Sequence, residues 1–211
     1  MNLAEILRLA PVIPVVTVEE LKDAVPLARA LVKGGLPVIE VTLRTGAGLQ
    51  AIRAIADEVP EAVVGVGTVL TEVHFDKSVA AGAQFAVSPG ATGRLLDAVS
   101  GAEMPLLPGI GTASEAMVLL ERGYEFAKLF PAEAAGGTAL LAALAAPLPQ
   151  LKFCPTGGVT LESAPKYLKL PNVVCVGGSW MVPRAAIAAG NWECITLAAS
   201  GAAALHVHRT P

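Results

Sequence analysis

One lysine lies in the middle of an otherwise apolar run, Phe126-Ala127-Lys128-Leu129-Phe130. If that run is a strand, Phe126, Lys128 and Phe130 share one face, and Ala127 and Leu129 the other. A lysine held among aromatic rings is either snorkelling at a strand end or an amine made nucleophilic by burial, since desolvation disfavours an ammonium. A second run, Val38-Ile39-Glu40-Val41-Thr42-Leu43-Arg44, sorts in the same way. Val38, Glu40, Thr42 and Arg44 fall on one face, the aliphatic residues Ile39, Val41 and Leu43 on the other. A surface strand would also alternate, but the chain around this one reads as buried parallel sheet. The two runs together supply an amine, an acid and an anion-binding guanidinium. Thr68, after Gly65-Val66-Gly67, either adds a hydroxyl beside Arg44 or caps the next helix.

Two further stretches suit an anion. Thr156-Gly157-Gly158 and Gly177-Gly178-Ser179 each follow a strand-like run. Glycines in such turns let backbone N–H groups converge on a phosphate at a helix N-terminus. Tight turns alone would also use them. His74 falls in a helical stretch, and His206 and His208 in the tail, so surface positions are expected for all three. No clustered His and carboxylate set suggests a metal, and no cofactor is implied. Gly65-Val66-Gly67-Thr68 lacks the remaining glycine of a dinucleotide fingerprint.

The elements that must position these groups follow from hydrophobic periodicity. Asn2 can cap a short amphipathic helix that Pro11 stops. Val12 to Val16 is the first strand. A helix from about Val18 to Lys33 ends at Gly34-Gly35, and Pro26 within it predicts a kink. Further strands centre on Ile39, Val64, Phe85 to Val87, Leu106-Leu107, Ala127 to Leu129, Phe153-Cys154 and Val174 to Val176. Their spacing, about 20 to 26 residues, is near the minimum for a strand plus a helix. That predicts one domain over 1–211, a compact (β/α)8 TIM barrel with a short N-terminal helix and its functional groups at the C-terminal strand ends. Lys128 on the sixth strand then meets Glu40 on the second, since even-numbered strands share interior layers.

Bulk properties narrow the partners. With 211 residues, 54% hydrophobic and 16% charged, the chain can bury a sizeable core. A net charge of −3 gives no electrostatic footprint for nucleic acid. Charge near the N-terminus argues against a signal peptide, and three scattered cysteines fit reduced thiols, so a cytoplasmic location is expected. The uncharged stretch from Ala134 to Leu151 is alanine-rich and broken by Pro147 and Pro149, which favours a buried helix over a membrane span.

The ordered set Glu40-Val41-Thr42-Leu43-Arg44-Thr45, Val64-Gly65-Val66-Gly67-Thr68-Val69-Leu70, Ser88-Pro89-Gly90, Leu107-Pro108-Gly109-Ile110, Phe130-Pro131-Ala132-Glu133, Phe153-Cys154-Pro155-Thr156-Gly157-Gly158 and Gly177-Gly178-Ser179-Trp180 resembles the class I 2-keto-3-deoxy-6-phosphogluconate (KDPG) and 4-hydroxy-2-oxoglutarate (KHG) aldolases. The resemblance covers nearly the whole chain. It implies a (β/α)8 barrel, usually a homotrimer, that cleaves a phosphorylated keto acid to pyruvate and glyceraldehyde 3-phosphate in the Entner–Doudoroff pathway. It also implies Lys128 as Schiff-base lysine, Glu40 as general acid and base, and Arg44 and Thr68 at the substrate carboxylate. Thr156, Gly157, Gly158, Gly178 and Ser179 would form the phosphate end. Gly111 and Ala135 depart from the family pattern, which leaves substrate preference open. The same barrel also carries phosphosugar isomerases and decarboxylases, which form no imine, and a phosphate-ligand binder would share the glycine turns.

Overall fold

The computed structural model describes residues 1–205, so His206 and His208 lie outside the described residues. The chain opens with α1, Leu3–Arg8. As its sequence predicts, Asn2 caps it: the Asn2 side chain accepts the Glu5 N–H at 2.9 Å and the Glu5 carboxylate accepts the Asn2 N–H at 2.8 Å. Strands and helices then alternate: β1 (Val12–Val16), α2 (Ala24–Lys33), β2 (Val38–Thr42), α3 (Gly48–Glu58), β3 (Val63–Gly67), α4 (Glu72–Ala80), β4 (Ala86–Val87) and α5 (Gly93–Ala98). The second half runs β5 (Leu106–Leu107), β6 (Gly109–Ile110), α6 (Ala113–Glu121), β7 (Phe126–Leu129), α7 (Gly137–Ala145), β8 (Lys152–Pro155), α8 (Ala164–Leu168), β9 (Val176–Gly178), α9 (Arg184–Ala188) and α10 (Trp192–Ala203).

All strand pairing is parallel, in a six-stranded sheet of order β5-β4-β3-β2-β1-β9 and a three-stranded sheet of order β6-β7-β8. Bridges from Phe153 to Val173 and from Thr156 to Gly177 run between β8 and the β9 end. This is an α/β fold with a curled parallel sheet. The fifth expected strand is divided by Pro108, which has no N–H to give to a ladder. β5 pairs with β4 on one side of it and β6 with β7 on the other, while the Pro108 carbonyl accepts the Lys128 N–H at 2.8 Å. The division explains why Lys128, expected on the sixth strand, lies on the seventh segment.

Two expectations about helices need correction. No continuous helix spans Val18 to Lys33: a 3-10 turn at Leu21–Asp23 precedes α2, which places Pro26 in the first turn of α2. A proline there removes only an N–H that has no intrahelical acceptor, so the basis for a kink disappears. The alanine-rich stretch forms α7, but it buries only Gly137, Leu141 and Leu144 and leaves three alanines exposed. Small side chains, not burial on all sides, account for its apolar composition.

The sheet separates two apolar regions. Between sheet and helices lie residues such as Ile39, Val41, Val64, Val66, Ala127 and Leu129. On the other face, Ile13, Val38, Val63, Phe85, Val87, Leu107, Phe126, Cys154 and Cys175 form an interior cluster, joined by Ile6 and Leu7 of α1. The faces are those the alternation in β2 and β7 predicts. Among the described residues, no helix is long and apolar enough to cross a membrane.

Candidate active site

Lys128 and Glu40 meet in the interior. The Lys128 Nζ donates to Glu40 Oε1 at 3.2 Å, across 88 positions of sequence, and each side chain is only 5% exposed. Strand geometry brings them there. Val38 and Phe126 belong to the interior cluster, and Glu40 and Lys128 are the next residues on the same face of β2 and β7. The Phe130 ring, next again on that face, has its centroid 5.2 Å from Nζ, a cation–π distance. The two phenylalanines thus act differently: Phe126 fills the core below the amine, and Phe130 lies beside it.

The pair has room because of β3. Glu40 is paired in register with Gly65, and a Cβ built on Gly67 would lie 2.3 Å from Glu40 Oε1 and 2.7 Å from its Cγ. Gly67 is therefore the space that the carboxylate occupies. Weighing the glycines at 65 and 67 only against a dinucleotide fingerprint, which they do not complete, misses this. The usable signal was their spacing of two, which places both on one strand face. The next residue, Thr68, has φ of 65°, a left-handed conformation uncommon for any non-glycine residue and an outlier for a β-branched one. It does not cap the next helix, because Thr71 accepts the His74 N–H and caps α4. His74 is itself half-buried, not a free surface residue, and its Nδ1 accepts from the Leu70 N–H at 3.4 Å.

Thr42, expected on the inward face with Glu40, is fully buried and ties β2 to β1. Its hydroxyl donates to the Val16 carbonyl at 3.1 Å, so the 3.0 Å contact with Thr17 uses the Thr17 proton. Thr17 was not anticipated. Arg44 lies two residues beyond β2 with its side chain exposed.

At the other loops, Thr156 is buried and its Oγ1 lies 2.3 Å from where a Gly177 Cβ would be. Gly157 and Gly158 follow with φ of 98° and 83°, a turn that other residues would enter with strain. Gly178 ends β9 beneath the Trp180 ring, and Ser179 is exposed. The expectation that both glycine pairs open directly onto helices needs correction. α8 begins at Ala164 and α9 at Arg184, each five residues long, so the turns themselves, not helix N-termini, carry any anion site. Cys154 and Cys175 are buried, and Cys194 is exposed. Among the described residues, no group of three or more His, Cys, Asp or Glu is placed to hold a metal ion.

Residues 3–198 match the family described as "Aldolase: KDPG and KHG aldolase". The chain belongs to the KDPG and KHG aldolase family. It is 52% identical over 191 residues to the KHG/KDPG aldolase of Escherichia coli K12, covering 90% of each chain. It is 49% identical over 200 residues to the 2-dehydro-3-deoxy-phosphogluconate aldolase of Dickeya dadantii, covering 95% of this chain and 94% of that one. Among solved structures, the KDPG aldolase of Legionella pneumophila, with pyruvate captured as a covalent carbinolamine, superposes with a TM-score of 0.94 at 47% identity over 96% of this chain and 98% of that one. Membership of this aldolase family makes the chain a carbon–carbon lyase. A buried amine against a carboxylate, with no charge partner for either beyond the other among the described ion pairs, is an arrangement suited to covalent carbonyl chemistry with proton transfer at the same place.

Proposed function

We propose that this class I aldolase reversibly cleaves 2-keto-3-deoxy-6-phosphogluconate to pyruvate and D-glyceraldehyde 3-phosphate, with Lys128 as the covalent catalyst. The observation that carries the reading is the buried contact between Lys128 Nζ and Glu40 Oε1. The deprotonated amine adds to the C2 carbonyl to give a carbinolamine, and loss of water gives an iminium. Glu40, through a water, takes the proton of the C4 hydroxyl. The C3–C4 bond then breaks, the aldehyde leaves, and the bonding pair moves toward the iminium to give an enamine. Glu40 returns its proton to C3, and hydrolysis releases pyruvate and the free amine.

Arg44 and Thr68 hold the substrate carboxylate in this reading. Thr156, Gly157, Gly158, Gly178 and Ser179 hold the phosphate. Anchoring both ends sets the scissile bond beside Lys128. The protein works as a single domain over 1–211 in which the two sheets close into a (β/α)8 barrel, supported by the bridges between β8 and the β9 end and by strands contributed on either side of Pro108. It is a homotrimer in the cytoplasm that serves the Entner–Doudoroff pathway. The name of the E. coli relative also covers 4-hydroxy-2-oxoglutarate, and comparing kcat/KM for the two substrates, and for the galactonate epimer, ranks them.

Borohydride reduction in the presence of pyruvate is expected to leave a stable adduct on Lys128, located by peptide mass mapping. An adduct on another residue, or none, would remove the covalent role.

A further inference from the structure

The glycine turn after β8 is gripped by one side chain that the catalytic scheme leaves unused. The loop that follows β7 lies along this turn: the Ala132 N–H donates to the Thr156 carbonyl at 2.8 Å, and the Glu133 N–H to the Gly157 carbonyl at 3.1 Å. A Cβ built on Gly158 would lie 2.7 Å from Glu133 Cγ, and one built on Gly157 would lie 3.2 Å from the Phe130 ring. Glu133 therefore contacts both glycines, one through its backbone and one through its side chain.

Its carboxylate is fixed in turn. Tyr167 of α8, 1% exposed, donates its hydroxyl to Glu133 Oε1 at 2.7 Å. Burial and the neighbouring carboxylate hold the Tyr167 hydroxyl well above its ordinary pKa, so this proton stays available for donation. Glu133 Oε2 lies 3.5 Å from where a Gly137 Cβ would be, at the first turn of α7, where negative charge is favoured. The aliphatic part of Glu133 faces the glycine turn while its charge is directed at Tyr167 and α7.

A backbone anion site depends on preorganisation, and glycines in the left-handed region are the residues least able to hold a shape unaided. We propose that Glu133, clamped by Tyr167, is the positioning residue that holds the Gly157–Gly158 turn in its phosphate-binding shape. The inference rests on the phosphate reading given above. Because the strut runs from the loop after β7, it also sets the distance between the phosphate end and Lys128.

The test compares Tyr167→Phe, Glu133→Ala and Glu133→Gln with the wild type on KDPG and on unphosphorylated 4-hydroxy-2-oxoglutarate, with inorganic phosphate as a competitive probe. Tyr167→Phe and Glu133→Ala are expected to raise KM for KDPG, and weaken inhibition by phosphate, about tenfold, the effect of one lost oriented contact. Constants for the unphosphorylated substrate and the yield of the pyruvate adduct stay within about twofold. Glu133→Gln, whose amide oxygen still accepts from Tyr167, keeps most of the wild-type preference. Glu133 is exposed, so its variants report even where Tyr167→Phe does not fold. Equal losses on both substrates, or unchanged KM for KDPG in Glu133→Ala, overturn the positioning role and leave the phosphate site standing. A wild type that phosphate does not inhibit overturns the phosphate reading itself, and the proposal with it.

Discussion

At the scale of single residues, a glycine sets where the carboxylate can lie. Any side chain at position 67 would begin 2.3 Å from Glu40 Oε1, closer than non-bonded atoms approach. What stands in the way is the far end of a flexible side chain and not backbone, so the fold can accommodate Gly67→Ala by turning Glu40 aside. The cost then falls on chemistry. Gly67→Ala is expected to fold with near wild-type circular dichroism while turnover drops about 10²-fold, the usual size of a general acid–base contribution. Formation of the pyruvate adduct should slow in parallel, since under the proposed reading the same carboxylate also shuttles the protons of carbinolamine dehydration. Wild-type turnover in Gly67→Ala would mean that the placement of Glu40 against Lys128 is not critical. Alternation alone made Lys128 and Glu40 legible in the sequence. Gly67 was not, because a residue with no side chain shows its purpose only when the neighbour that fills its space is known.

At the scale of elements, capping is where local sequence and local structure agree most closely, and α6 shows it. Thr112 caps this helix, accepting the Glu115 N–H at 3.3 Å, and the Glu115 carboxylate accepts from the Gly111 N–H and the Thr112 hydroxyl, both at 2.8 Å. The Gly111 N–H, with burial opposing and Thr112 assisting, holds the Glu115 carboxyl below its ordinary value of 4.5. A lowered folded-state value stabilises the fold above the unfolded value, and that stabilisation is lost as pH falls through the folded one. The urea midpoint of the wild type should therefore exceed that of Glu115→Gln at neutral pH, and the gap should narrow below about pH 4.5. A gap independent of pH would show that the charge of Glu115 contributes nothing. Helix starts at Asn2, Thr71 and Thr112 have a polar cap residue that a sequence displays. The start of α2 has no side-chain cap, and Pro26 fits its first turn as well as it would fit a kink, so that boundary could not be read in advance.

At the scale of the whole molecule, the interior face of the sheet divides into an apolar end and an end that holds the Lys128–Glu40 pair. Ile6 and Leu7 of α1 are fully buried and complete the cluster that contains Ile13, Val38, Phe85 and Phe126. Glu40 and Lys128 follow Val38 and Phe126 along their strands, so the cluster forms the floor beneath that buried pair. The alternating strands announced such an interior, but the sequence did not show that α1 would seal it. An amphipathic helix of six residues advertises an apolar face without naming the surface that face will cover. Removing part of that seal separates the two ends experimentally. Leu7→Ala deletes buried aliphatic volume that the surrounding strands cannot fully close over, with an expected loss of about 2–5 kcal/mol in unfolding free energy by urea denaturation. Below the unfolding transition, its kcat and its pyruvate adduct on Lys128 should match the wild type, because no α1 side chain reaches the amine or the carboxylate among the described hydrogen bonds and ion pairs. A fall in kcat while Leu7→Ala is still folded would mean that the floor sets the height of the Lys128–Glu40 pair, and that stability and catalysis share one packing arrangement.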